Sequence, residues 1–308
     1  MGKKTKSRKQ KSVELQTELT DQKIKNSILA REIKGNYKLL LIVLLCLPLL
    51  IGLYFLIHSH NLNGYFGFPL DDPWIHLTFA KNLVEYGSFS YFKNEIVTSG
   101  STSPIYTLIL SVLFLVSSNE YIISYVIGIL FNILTVLIFS KLVSLHFGEH
   151  KALVLASILI IAVQPKLNLI SVSGMETTMF IFLIVGGVYF YKTANKIMLG
   201  VFLGLLIWCR PDGFVLWLAI LIDYLLSNNS KIRNDIGLAE KTLERKDFFI
   251  AVLIAIGLAI VYFLFNYALS GNILPNTYKA KIEYYQHNLR ENFLRNDVLI
   301  YFSNSEFI

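Results

Sequence analysis

Two stretches of this chain leave little choice of environment. "LLLIVLLCLPLLIGLYFLI" at 39–57 and "FFIAVLIAIGLAIVYFLFNYAL" at 248–269 carry no charged side chain. A helix of about 20 apolar residues matches the hydrocarbon thickness of a bilayer. The runs are continuous rather than alternating, which argues against a closed barrel of spanning strands. Further apolar runs occupy 121–143, 152–170, 175–191, 197–208 and 214–226. A shorter one, 103–118, reads as a helix lying along or dipping into the membrane interface. The expectation is an all-α polytopic membrane protein of about seven transmembrane helices, with interfacial helices in the first outer loop. Composition agrees: 16% of residues are charged, against roughly 25% in soluble domains.

Charge sets the orientation. The net charge of +7 lies wholly within residues 1–38, which hold 11 Lys/Arg and 4 Asp/Glu, while the rest holds 17 of each. That describes a basic tail on a neutral membrane body, not a nucleic-acid surface. Such a tail is either drawn to anionic headgroups or keeps the N-terminus cytoplasmic. No small-residue cleavage site follows the first run, so the tail does not read as a secretory signal. With seven spans, inner segments hold 20 Lys/Arg and outer ones 8; if 103–118 also crossed, the split would be 17 to 11. The positive-inside rule favours seven. The chain then divides into a cytoplasmic tail (1–38), a membrane body (39–270) with first outer loop 58–120, and an extracytoplasmic segment (271–308). Cys46 and Cys209 lie in or beside apolar runs, and neither a disulfide nor a metal role is expected of them.

Polar clusters gather in the outer segments: Asp71-Asp72, "TSGSTSP" (98–104), "SGMETT" (173–178), "CRPDG" (209–213) and "SGNILPNTYKAK" (270–281). Gathering at one face suggests a site there. Each cluster also has a plain structural reading. Asp72-Pro73 starts a helix, with Asp72 as N-cap and Pro73 at the first helical position. That helix puts Trp74, Leu77, Ala80 and Val84 on one apolar stripe at the interface. Asp71 is left over, and a carboxylate there can serve as a general base or a metal ligand. Glu176 suits a helix dipole. Arg210 and Asp212 form a Pro-Asp-Gly turn with its own ion pair, or Arg210 binds an anionic headgroup with its planar fork. Lys279 and Lys281 are either solvated or phosphate-binding point charges. His76 follows one turn after Asp72.

The order of these motifs is more specific than any one of them. "DDPWIHLTFAKNLVEYGSFSYFKNE", "SGSTSPIY", "SGMETTMF", "RPDGF" and "LPNTYKAK" together resemble the polytopic GT-C glycosyltransferases that use polyprenyl-phosphate sugars. The likeness is greatest to the bacterial arabinofuranosyltransferase-like branch. It extends over residues 68–281.

The resemblance implies an integral-membrane enzyme. It would move a sugar from a polyprenyl-phosphate donor to a glycan, lipid or protein acceptor on the extracytoplasmic face of the cell membrane. Asp71 would accept the acceptor hydroxyl's proton. Asp72 would cap its helix and help orient a divalent cation (Mg, Mn or Ca), with Asp71 as the other metal candidate. Arg210, Lys279 and Lys281 would stabilise the departing phosphate, and Glu176 and Asn276 would position sugar hydroxyls. His76 and Asp212 complete the substrate-binding set. Two other readings stand beside it. One is a transporter or flippase of a lipid-linked substrate, which the scarcity of mid-span charge disfavours. The other is a non-catalytic truncated relative, since the chain ends at 308 without further spans.

Overall fold

A computed structural model describes residues 35–93, 95, 97–228 and 243–276. The described residues form ten α-helices and no strand: α1 (Gly35–Asn63), α2 (Asp72–Tyr86), α3 (Pro104–Phe114), α4 (Glu120–Phe147), α5 (Lys151–Ala162), α6 (Pro165–Ser171), α7 (Thr177–Lys192), α8 (Lys196–Cys209), α9 (Phe214–Asn228) and α10 (Arg245–Ser270). A one-turn 3₁₀ helix, Pro211–Gly213, joins α8 to α9.

Three of these helices, α1, α4 and α10, are long and apolar enough to cross a membrane, or four crossings if α5 and α6 count as one. Seven spans were expected, and the difference has a local cause. Turns cut the remaining apolar runs short, leaving α7, α8 and α9 at 16, 14 and 15 residues. At 1.5 Å per residue these reach roughly 21–24 Å, less than the ~30 Å hydrocarbon core. The α7–α8 turn includes Ala194 at φ 56°, and the α8–α9 turn is imposed by Pro211.

The run 152–170 is likewise broken, into α5 and α6, which meet at 53°. Pro165 opens α6, and the break frees backbone carbonyls that need new donors in an apolar setting. Asn168 supplies them: its Nδ2 donates to the carbonyls of Ala162 (2.8 Å) and Gln164 (2.9 Å). Its Oδ1 accepts from Asn132 Nδ2 of α4 at 3.0 Å. Gly128, also on α4, sits so close to α6 that a Cβ there would run into the carbonyl oxygen of Ser171.

The short helices are held by packing rather than by length. α8 and α10 run parallel, with Lys196 beside Asp247 and Trp208 donating its Nε1–H to the Leu258 carbonyl at 2.9 Å. Gly200 and Gly204 form a small-xxx-small face on α8. A Cβ at Gly200 would lie 2.6 Å from the Ala251 carbonyl, and one at Gly204 would lie 2.5 Å from Leu258 Cβ. Buried Ala251 and Ala255 on α10 complete that approach. The main core joins Leu77, Tyr106, Ile127, Met179, Leu183 and Leu206, from α2, α3, α4, α7 and α8.

α2 and α3 belong to this core. α3 was expected along the interface, yet Tyr106, Thr107 and Leu110 are buried and it packs against α2, α4 and α8. The stripe expected on α2 is also rotated. Pro73, His76, Leu77 and Ala80 face inward, while Trp74 is exposed and Val84 only partly covered. The helix begins at Asp72, so Asp71 rather than Asp72 occupies the N-cap position, and it makes no side-chain cap bond. Phe68, Trp74, Tyr121 and Tyr125 cluster at this end, and Tyr125 donates to the Gly67 carbonyl at 2.8 Å. They tie residues 67 and 68 and the start of α2 to α4.

Candidate functional site

A cavity of about 690 Å³ opens at the end of the body where α2 and α7 begin and α8 and α10 finish. Its lining includes the ionisable side chains Asp72, His76, Glu176, Arg210 and Asp212 and the apolar or aromatic ones Ile207, Phe214, Tyr262 and Phe263. The site therefore offers both charged and apolar surface.

Glu176 stands between His76 and Arg210. It precedes α7 at the N-cap position without capping it. Instead the side chain is buried, at 4% exposure. Its Oε1 accepts from Arg210 Nη1 at 3.2 Å, and Oε2 lies 3.4 Å from His76 Nε2. The latter distance suits an ion pair, but Oε2 has no aligned hydrogen bond. Burial by itself raises the carboxyl's pKa. His76 and Arg210 more than offset that and hold it below its ordinary value. The turn that delivers Glu176 needs Gly174, at φ 77°, where a Cβ would press on Phe68 and Pro73. Tyr106 donates its hydroxyl to the Gly174 carbonyl at 2.9 Å, locking the turn to α3.

Arg210 forms the ion pair expected of its turn and a second one that the sequence did not suggest. Its Nε donates to Asp212 Oδ1 at 3.2 Å within the 3₁₀ turn, while Nη1 reaches Glu176. The guanidinium also lies over Phe180, 5.5 Å from the ring centre. Two carboxylates thus hold the fork at the cavity wall.

Of the expected site residues, Asp72, His76, Glu176, Arg210 and Asp212 come together around this cavity. They derive from segments separated by more than 130 positions in the chain. Asp71 is exposed and does not line it. Asn276 lies just beyond the lining residues Leu274 and Pro275. Its backbone N–H donates to the Ser99 carbonyl at 3.1 Å, which straps 271–276 against the 98–104 stretch. Lys279 and Lys281 lie outside the described residues. A divalent cation at Asp71 and Asp72 would need further ligands. Among the described residues no group of three or more His, Cys, Asp or Glu side chains is placed to hold a metal ion. Both cysteines are free, Cys46 exposed and Cys209 buried.

Three participants escaped the sequence reading. Ser101 and Thr107 contact His76 Nδ1 at 3.0 and 3.3 Å and each other at 2.7 Å. "TSGSTSP" marked Ser101 as part of a polar cluster, but nothing marked Thr107. Tyr262, on α10, lines the cavity with a hydroxyl that has no hydrogen-bond partner among the described residues. A tyrosine inside a long apolar run was the available signal. Comparison of the chain with protein-family models, with curated proteins and with solved structures finds no match.

Proposed function

We propose that this chain is a membrane-embedded glycosyltransferase that moves a sugar from a polyprenyl-phosphate donor to an acceptor hydroxyl. The observation that carries the reading is the mixed lining of the cavity, where Asp72, Glu176, Arg210 and Asp212 share one space with Ile207, Phe214, Tyr262 and Phe263. A lipid-linked sugar carries both kinds of group, a sugar phosphate and an isoprenoid.

Asp72, at the cavity wall, takes the base role that motif order had given Asp71. It accepts the proton of the acceptor hydroxyl as that oxygen attacks the anomeric carbon. The new carbon–oxygen bond forms while the bond from the anomeric carbon to the phosphate oxygen breaks. The bonding pair leaves on the phosphate, which gains negative charge. Arg210, already oriented by two carboxylates, is placed to stabilise that charge at no reorganisation cost. Glu176 and Asp212 retain acceptor capacity for sugar hydroxyls. The charge asymmetry supports seven crossings, with the N-terminus cytoplasmic and this site on the extracytoplasmic face of the cell membrane.

The test is transfer of labelled sugar by purified protein in lipid, from a panel of polyprenyl-phosphate donors, with Asp72→Asn alongside. Transfer that disappears in the variant is the expected result. Well-folded protein that transfers from no donor would remove the reading.

A further inference from the structure

His76 lines the cavity but does not offer itself to it. The ring is only 3% exposed, and both nitrogens face protein groups. Nε2 lies 3.4 Å from Glu176 Oε2, an ion-pair distance without an aligned hydrogen bond; an ionised carboxylate only accepts, so the form of the ring that pairs with it carries the hydrogen on Nε2. Nδ1 faces the paired hydroxyls of Ser101 and Thr107, each able to donate or accept. The edge of the ring meets Tyr106, 5.6 Å between centres. The imidazole is thus fixed on three sides by residues 101–107, and its free direction points at Glu176. Glu176 in turn holds Arg210 through its other oxygen. No hydrogen bond or ion pair among the described residues joins His76 to Arg210 directly.

We propose that His76, seated by Ser101 and Thr107, is a positioning residue. It locks Glu176 and through it aims toward the cavity the N–H groups of Arg210 that have no partner among the described residues, and so governs affinity for a phosphate-bearing headgroup. The choice of ligand rests on the glycosyltransferase reading; the coupling of His76 to Arg210 does not. A relay of this kind makes two side chains energetically dependent although they do not touch. It also gives the serine–threonine pair a role in binding without contact to the ligand.

Two measurements on the full chain in detergent separate these parts. The first is a thermal double-mutant cycle with His76→Phe and Arg210→Gln, without ligand. The double variant should lose at least about 2 °C less than the sum of the single losses. Additive losses would overturn the relay. The second is binding of farnesyl monophosphate as the headgroup probe. His76→Phe should weaken it about 10-fold, and Ser101→Ala with Thr107→Val should weaken it in the same direction. His76→Gln, whose amide N–H can replace the Nε2 hydrogen, should stay within about threefold of wild type. Equal binding by wild type and His76→Phe would overturn the relay and leave the enzyme reading standing. No binding by wild type, with thermal coupling intact, would overturn the headgroup assignment and the enzyme reading together.

Discussion

Glu176 and Arg210 form one ion pair across two environments: the carboxylate is buried, and the guanidinium, 3.2 Å away, sits half-covered at the cavity rim. The pair joins the start of α7 to the end of α8. It leaves the arginine with donors to spare and the carboxylate with one oxygen that lacks an aligned hydrogen bond. Such an arrangement costs stability unless every partner is in place.

Removing the arginine should therefore be costly. Arg210→Ala strands a buried carboxylate, and a loss of about 1–3 kcal/mol is expected. Thermal denaturation in detergent measures it. Glu176→Gln in the same background should recover part of the loss, because the stranded group is then neutral.

Acid should weaken the same region. The carboxyl of Glu176 is held below its ordinary value in the folded chain. A group depressed on folding stabilises the protein above its unfolded value, about 4.3, and loses that contribution as pH falls through the folded value. The thermal midpoint should decline more steeply in wild type than in Glu176→Gln as pH is lowered below about 4. Parallel declines would show that Glu176 is not the titrating group.

The two adjacent aspartates should separate cleanly. Asp72 lines the cavity and Asp71 is exposed at the helix N-cap. Asp72→Asn should reduce sugar transfer by about 10²–10⁴-fold, the usual worth of a positioned base. Asp71→Asn should keep most of it. The reverse order would return the base role to Asp71.

The parallel pair α8–α10 depends on small residues. Gly204→Leu places a side chain where Leu258 already lies. A loss of about 1–3 kcal/mol is expected from the forced separation. Because Trp208 and Tyr262 pack against each other at the cavity end of this pair, probe binding should weaken as well. Unchanged stability would mean the helices can part without cost.

The break between α5 and α6 should fail without its amide. Asn168→Leu removes the donor to the carbonyls of Ala162 and Gln164. About 1–3 kcal/mol should be lost, read as a lower thermal midpoint, with Asn132 also left without its acceptor.

Much of this protein was readable from local chemistry. Continuous apolar runs made the chain helical and membrane-compatible, because backbone polar groups must be satisfied within each segment in an apolar medium. The Pro-Asp-Gly punctuation marked the turn at Pro211 where it occurs. Five of the nine site residues expected from motifs, Asp72, His76, Glu176, Arg210 and Asp212, do converge. Helix length was less legible: hydropathy counts residues, whereas the turns at Ala194 and Pro211 and the break at Pro165 depend on neighbours that supply substitute hydrogen bonds or close packing. Which aspartate faces the cavity was not legible at all. It follows from a single-residue difference in where α2 begins. The pairing of His76 with Ser101 and Thr107, and of Glu176 with Arg210, was equally invisible. Those contacts link segments far apart in the chain. Only tertiary packing, which buries His76 and Glu176 and so demands partners for them, decides which polar groups meet.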